Sequence, residues 1–275
     1  MPKRPPSFNV ESLDDGLDYE VDLAASGGED NYENSPQPAA KSDAKKTAKE
    51  KKKLNKKPRL SYFSDPAVAF GTPEEQASFM NHKLRHAFKG ISQLELEGAS
   101  FKNSERDRPC SYFIDSSDYV NPRTPSVLPD WFGKYGNVTF GGSRVKVAKG
   151  TPKVLIITCH ANRATELIRE SRKLAPKVQV AKLFARHMKI EEQRKLLKKF
   201  HTDVAVGTPN RILKLMEDPA SLTLGRTELI ILDCFRDGKD RMVVDMPDCS
   251  QDLFILFRQF FLPQLDAGKL RVGMF

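Results

Sequence analysis

The sequence predicts an α/β fold, in which a mostly parallel sheet lies between two layers of helices. Three observations lead to this prediction. From about residue 150 onward, short apolar runs alternate with longer amphipathic segments. The run 229–232, Leu-Ile-Ile-Leu, is apolar throughout, which is typical of a strand buried on both faces. Strands that alternate with helices pair in parallel through right-handed crossovers, so the sequence predicts a three-layer sandwich.

The elements of this sandwich follow one another closely along the chain. We expect strands at 154–158, 178–184, 203–206, 227–233 and 270–274, and helices at 162–174, 189–200, 209–217 and 250–261. Ligands of such sheets bind outside the carboxyl ends of the strands. Residues 207–211 and the segment from Asp233 onward fall at these ends.

A long helix is predicted before the sheet, at 73–101. Thr72 is a suitable N-cap, and Pro73 suits the first helical position. Apolar side chains recur at helical spacing up to Leu94. Residues 104–150 are loop-like, with Trp131 and Phe132 as expected buried anchors. We therefore expect a helical and loop-rich extension at 60–150 that forms one folded unit with the domain at 151–275.

Residues 1–59 form a charged tail that we expect to be disordered, because it has few large apolar residues. Residues 1–40 carry nine acidic and two basic side chains, whereas residues 41–59 carry ten basic and two acidic ones. The acidic stretch at 10–33 is either a motif that docks on other proteins or a solvated segment. The basic run favours nuclear import and RNA contact, through Lys51, Lys52, Lys53, Lys56 and Lys57.

Charge and composition narrow the class of protein. The 275-residue chain has a net charge of +9, and residues 60–275 alone carry +8. A basic surface favours nucleic acid as a partner, although solubility alone also explains it. We expect neither a membrane span nor a secretion signal, because long apolar stretches are absent. The four cysteines are scattered without a C-x-x-C pair, which fits a reducing compartment.

The segment 204–216 predicts an anion-binding helix start. Val204 begins a strand, Gly207 allows a turn, Thr208 is a good N-cap, and Pro209 suits the first helical position. Free amide groups at such a start attract anions, and Arg211 adds positive charge. An ordinary strand-to-helix turn is the alternative.

Motifs of common nucleotide and hydrolase sites are missing from the sequence. It contains no G-x-x-x-x-G-K-[ST] phosphate loop, no G-x-G-x-x-G after a strand and no G-x-S-x-G elbow. These absences argue against ordinary P-loop NTP hydrolysis, a dinucleotide site and the usual hydrolase elbow, and we expect no cofactor and no small-molecule substrate.

Three groups of polar residues are weaker candidates for chemistry. His82 and His86 have the spacing of two metal ligands on a helix but lack a third, so they are interpreted as a polar face. Asp233 is interpreted as a chain cap in a solvated turn, and a magnesium site built with the later acids is not favoured. His160 and His187 follow strand ends but have no paired nucleophile, which favours an exposed or RNA-facing position. The later acids are Asp237, Asp240 and Asp245.

Four segments together resemble the first RecA-like domain of DEAD-box RNA helicases: 154–167, 190–197 with Gln193, 203–212 and 229–233. Residues 207–212 look like the T-P-G-R element that contacts the RNA backbone in that family, with Asn210 in place of the second glycine. The resemblance implies that the RNA-contacting arginine of the family is either lost or displaced to Arg163, and that 185–187, Ala-Arg-His, takes the place of the paired glycines. Only Asp233 remains of the D-E-A-D element. The resemblance therefore implies a degenerate domain that lacks the catalytic glutamate and the phosphate loop and is not an ATP-driven helicase.

A more specific resemblance is to the Cms family, subunits of the early pre-ribosome that makes the small ribosomal subunit. It rests on 182–190 (Lys-Leu-Phe-Ala-Arg-His-Met-Lys-Ile), the Gly-Thr-Pro element and 240–247 (Asp-Arg-Met-Val-Val-Asp-Met-Pro), and it extends over about 73–275. It implies a nucleolar, non-catalytic factor whose partners are pre-ribosomal RNA and other processome proteins. Besides the five tail lysines, the expected RNA contacts are Gly207, Thr208, Pro209, Asn210, Arg211, Arg186, His187 and Arg163.

Two alternatives remain open at this point. One is an RNA-dependent NTPase with an unconventional site around Asp233 and residues 133–143. The other is a scaffold that binds protein without contacting RNA.

Overall fold

The computed structural model describes residues 66–90, 92–101, 112–140, 148–186 and 188–275. The predicted disordered tail with the five lysines named above, the acidic stretch at 10–33 and His187 lie outside the described residues. All described residues fall within one compact unit of the chain.

The described residues form a five-stranded sheet in which every pairing is parallel, with the order β2-β3-β1-β4-β5. The order places β1 at the centre, with β3 and β4 on either side. This arrangement confirms the predicted α/β class. The strands are β1 (Val154–Ile157), β2 (Val180–Leu183), β3 (Val204–Gly207), β4 (Leu229–Leu232) and β5 (Arg271–Met274).

Helices precede the sheet and connect its strands. The described residues form α1 (Pro73–Ala87), α2 (Gln93–Ala99), α3 (Leu128–Trp131), α4 (Ala161–Ser171), α5 (Ile190–Lys199), α6 (Pro209–Met216), α7 (Pro247–Leu256) and α8 (Leu262–Asp266). Two 3₁₀ turns (Pro66–Phe70 and Pro125–Val127) and two π-helical turns (Phe132–Gly136 and Phe257–Phe261) complete them.

The two faces of the sheet bury different apolar clusters, because successive strand side chains point to opposite faces. Leu155 and Ile157 belong to the cluster that includes α1, α6 and α7. Val154 and Ile156 belong to the other cluster, together with α4 and Trp131. The sheet is therefore covered on both faces, as the three-layer prediction requires.

The predicted helix at 73–101 is wrong in its length. α1 ends at Ala87, and α2 begins only at Gln93. Gly90, between them, has a φ of 92°, a left-handed conformation that glycine adopts without steric cost. The break turns Leu94, which the helical spacing had placed on the apolar face, into a side chain that is 80% exposed. Thr72 nevertheless caps α1 as predicted, in a complete capping box with Glu75.

Trp131 and Phe132 are buried, as predicted, at 0% and 6% exposure. Trp131 packs directly over Gly273 of β5, where a Cβ atom would lie 2.4 Å from its Cη2 atom. The loop-rich region before the sheet is thereby fixed to an edge strand. None of the helices in the described part of the chain is long and apolar enough to cross a membrane.

Candidate nucleic-acid interface

The start of α6 lies at the carboxyl end of β3 and presents backbone amides. The Thr208 amide donates to the Leu183 carbonyl oxygen (3.1 Å), and the Ile212 amide closes the first helical bond on the Thr208 carbonyl (3.0 Å). The amides of Asn210 and Arg211 therefore have no acceptor within the helix. The Thr208 hydroxyl makes no capping hydrogen bond. The geometry is that of a helix start able to bind an anion.

Gly207 has a different role from the turn that the sequence indicated. It is the last residue of β3 and pairs with Leu183 of β2. A Cβ atom on Gly207 would lie 2.2 Å from the Leu183 carbonyl oxygen. Glycine is needed here because two backbones approach closely.

Arg211 is half-buried and connects α6 to the turn after β2. Its Nη1 donates to the Met188 carbonyl oxygen (3.3 Å) and to Gln193 Oε1 (3.0 Å). Burial lowers the pKa of Arg211 from its ordinary value, yet an arginine remains charged at neutral pH.

Gln193, which lies in one of the helicase-like segments, holds this turn in place. Its side chain is 2% exposed, and its Nε2 donates to the carbonyl oxygens of Lys182 (3.0 Å) and Phe184 (2.9 Å). A buried side-chain amide needs such partners. No sequence signal marks Gln193 as buried, because a glutamine among charged residues is ordinarily exposed.

Arg186 is exposed on the same turn, and its Nη1 donates to Asn162 Oδ1 (2.5 Å) in the first turn of α4. Three chain segments thus meet at one edge of the sheet, namely the turn after β2 and the first turns of α4 and α6. Asn210 is exposed there and donates to Asp252 of α7 (2.9 Å), whereas Pro209 is buried. We call the exposed part of Arg186, Thr208, Asn210 and Arg211 the carboxyl-edge rim.

Arg163, by contrast, is bound inside the protein. It is 6% exposed, and its Nε and Nη2 donate to the two carboxylate oxygens of Asp233 at 3.0 and 2.9 Å. Burial opposes the charge, but the hydrogen bonds and charge of Asp233 raise the pKa of Arg163 overall. The structure thus brings Arg163 to the carboxyl edge without exposing it, and its predicted RNA contact stays a prediction.

The interpretation of Asp233 as part of a solvated turn is wrong. It is 1% exposed, because Thr158 Oγ1 (2.7 Å) and Arg163 satisfy its oxygens within the protein. The predicted cap is present, because the Phe235 amide donates a hydrogen bond to Asp233 Oδ1 (3.4 Å).

The other acids of this region are paired separately. Asp237 binds Arg241 (2.7 Å), Asp240 binds Arg236 (3.2 Å), and Asp245 binds Lys83. Among the described residues, no group of three or more His, Cys, Asp or Glu side chains is arranged to hold a metal ion.

The candidate histidines His82, His86 and His160, and Cys159 beside His160, have the following surroundings. The His82 and His86 rings contact each other edge to face at 4.5 Å, and burial and neighbouring positive charges lower the pKa of His82. His160 is exposed at the N-cap of α4 and makes no capping hydrogen bond. Burial raises the pKa of the Cys159 thiol to about 12, which leaves it protonated at neutral pH.

Comparison with known proteins decides the family. The sequence profile of the CMS1 family, described as "U3-containing 90S pre-ribosomal complex subunit", matches residues 28–275. This chain is a member of the CMS1 family. The resemblance to the Cms family is thereby confirmed, whereas the relationship to DEAD-box helicases stays a prediction.

Individual relatives agree with the family assignment. Protein CMS1 of Chaetomium thermophilum is 31% identical over 206 residues, which cover 74% of this chain and 82% of the relative. Protein cms1 of Schizosaccharomyces pombe is 26% identical over 253 residues, 86% of each chain. Protein CMSS1 of Danio rerio is 37% identical over 123 residues, which span 44% of this chain but only 42% of the fish protein.

Proposed function

We propose that this chain is a non-catalytic RNA-binding factor of the early pre-ribosome, acting in small-subunit biogenesis in the nucleolus. The description of its family as a subunit of the U3-containing 90S pre-ribosomal complex supports the process and a nuclear location. The convergence of three segments at the carboxyl-edge rim carries the proposal of RNA contact. The partners are then pre-ribosomal RNA and other proteins of the same complex.

The rim offers the groups that bind a phosphate backbone. The amides of Asn210 and Arg211 and the Thr208 hydroxyl are donors at a positively polarised helix end. Arg186 adds an exposed charge at the surface, and Arg211 adds a half-buried one. Contacts of this kind position RNA without reading its sequence. The tail lysines then add affinity that is independent of sequence.

The non-catalytic part of the proposal rests on Asp233. The retained acid of the helicase-like pattern is paired with Arg163 and Thr158, so its carboxylate is not free to bind a magnesium–nucleotide complex. Calorimetric titration of the full chain with ATP and Mg²⁺ should give no binding heat. Saturable binding would favour the alternative of an unconventional NTPase.

RNA binding is tested with the full chain and a fluorescein-labelled, mixed-sequence, single-stranded RNA at several salt concentrations. The variant Arg186→Glu with Arg211→Glu should bind more weakly and show a shallower salt dependence, by about 0.7 in the logarithmic slope per lost phosphate contact. Arg169→Glu with Arg172→Glu, two exposed charge reversals at the other end of α4, is the control matched in charge. Equal affinity of the double variant and this control would contradict the rim as an RNA surface and favour the scaffold alternative.

A further inference from the structure

A second surface lies at the β4 side of the carboxyl edge, away from the rim. It is a groove of about 410 Å³, with Phe70, Val120, Pro122 and Phe235 among its walls and Arg123 and Cys234 also lining it. The proposed RNA contact uses none of these residues. The groove therefore needs an explanation of its own.

The walls of the groove expose apolar surface to solvent. Val120 is 84% exposed and Phe235 is 38% exposed. Together with Leu94, they are the large apolar side chains that stand exposed in the described part of the chain. A single exposed apolar side chain is ordinary, and two that line one groove form a small apolar patch that a bound partner would cover.

Arg123 gives this groove a charge that no carboxylate among the described residues pairs with directly. Its side chain is 8% exposed, and Nη2 donates to the Ala69 carbonyl (2.9 Å) and to the Ser116 carbonyl (3.0 Å) and hydroxyl (3.2 Å). Its Nε and Nη1 have no acceptor in the part of the chain that the structure describes. Among the described residues, Arg123 forms no ion pair with a carboxylate. The rings of Phe70 and Tyr119, each 4.7 Å from the guanidinium carbon, cover it.

A buried cation without a counter-ion is costly, and a carboxylate brought close to it relieves that cost. Because Nε and Nη1 are covered by protein atoms, the carboxylate acts from the mouth of the groove or after a small displacement of the side chains there. The apolar walls would be covered at the same time. The groove thus matches a ligand that combines apolar surface with one negative charge.

We propose that the groove binds a short segment of a partner protein in which a large apolar side chain stands next to an aspartate or glutamate. The apolar side chain packs on Phe70, Val120 and Phe235, and the carboxylate compensates Arg123. A peptide fits better than an RNA strand, because Arg123 is the one cation among the lining residues of this groove and a phosphate backbone is bound through several cations.

The test is selection of a displayed random-peptide library on the full chain, followed by fluorescence polarisation with the enriched peptides. We expect an apolar residue beside an acid in the enriched sequences. Val120→Asp should weaken binding about tenfold or more, and so should Asp→Asn or Glu→Gln in the peptide. The peptide change tests Arg123 without altering the fold. Leu94→Asp, at a similarly exposed apolar residue on α2, is the matched control.

Four results would overturn the proposal. They are no enrichment, enriched peptides without an acid, unchanged binding by Val120→Asp, and an equal loss with Leu94→Asp. Displacement of the peptide by single-stranded RNA whose own binding is abolished by Val120→Asp would instead assign the groove to RNA. The RNA affinity of Val120→Asp, measured separately, shows whether the rim still functions when the groove does not.

Discussion

Arg163 and Asp233, 70 residues apart in sequence, form a buried ion pair with two hydrogen bonds of 2.9 and 3.0 Å. The pair joins α4 to the end of β4 at the carboxyl edge of the sheet. Thr158, which follows the central strand β1, donates to the same carboxylate at 2.7 Å. The position where the helicase-like pattern keeps its one acid is thus a structural element of the fold.

Removing one partner of this pair should destabilise the protein strongly. Arg163→Met leaves Asp233 buried without a counter-ion, and we expect the free energy of unfolding to fall by about 3–5 kcal/mol. Arg163→Met combined with Asp233→Leu should cost less than the sum of the two single changes. Urea unfolding of the wild type, Arg163→Met, Asp233→Leu and the double variant measures this coupling. Additive effects would show that the two side chains do not stabilise each other.

Gly207→Ala should disrupt the pairing of β2 with β3. The new Cβ atom would lie 2.2 Å from the Leu183 carbonyl oxygen, which is backbone and cannot turn away. We expect the free energy of unfolding to fall by about 2 kcal/mol or more. Gly98→Ala in α2 is the control, because nothing lies within 4 Å of its Cβ position. Thermal unfolding should show no loss for Gly98→Ala, and equal losses in both variants would refute the close approach.

Gln193→Leu should loosen the turn after β2. The change removes the donor to the Lys182 and Phe184 carbonyls and the acceptor of Arg211. We expect a loss of about 1–3 kcal/mol in stability, because buried polar groups are left without partners. RNA affinity should fall as well, since Arg211 loses its position. The control is Gln251→Leu at an exposed position of α7, which should change neither quantity. Unchanged RNA affinity in Gln193→Leu would show that RNA binding does not depend on the position of Arg211.

The ionisation of Asp237 should extend to unusually low pH. Hydrogen bonds and charge from Arg241 lower the pKa of Asp237 from 3.8 to about 2. Since the folded-state pKa is lowered, the ion pair contributes to stability above pH 3.8, and this contribution is lost as the pH falls toward 2. An NMR titration that follows the Asp237 carboxyl carbon resonance measures this pKa as the midpoint of the change in chemical shift. Arg241→Gln should move the midpoint toward 3.8, and a wild-type midpoint already at 3.8 would contradict the pairing.

The architecture was largely predictable from the sequence, because period and composition determine which segments are buried strands and amphipathic helices. β1 and β4 are apolar throughout and were placed to within a residue or two. The prediction of one helix at 73–101 was wrong because the apolar periodicity continues across the break after Ala87, where Phe88 leaves the helical conformation and Gly90 adopts a positive φ. A glycine that breaks a helix and one that is tolerated within it look alike in one sequence.

The location of the site was predictable from the sequence, but the contacts of its side chains were not. Strand ends in parallel sheets meet at one edge, so Thr208 and Arg186 could be placed there before the structure was known. The pairing of Arg163 with Asp233 links residues 70 positions apart, and no local pattern encodes it. The close approach at Gly207 likewise depends on which strand lies beside β3. Both contacts depend on residues that are distant in the sequence and adjacent in the fold.

Ultraviolet crosslinking of intact early pre-ribosomes that contain this chain, with mass-spectrometric mapping of the RNA-linked residues, tests RNA contact through the rim most directly. We expect RNA adducts at residues 186–189 and 208–211, and their loss in the variant Arg186→Glu with Arg211→Glu. Adducts confined to the lysine-rich segment 45–59, or protein crosslinks alone at the rim, would contradict it.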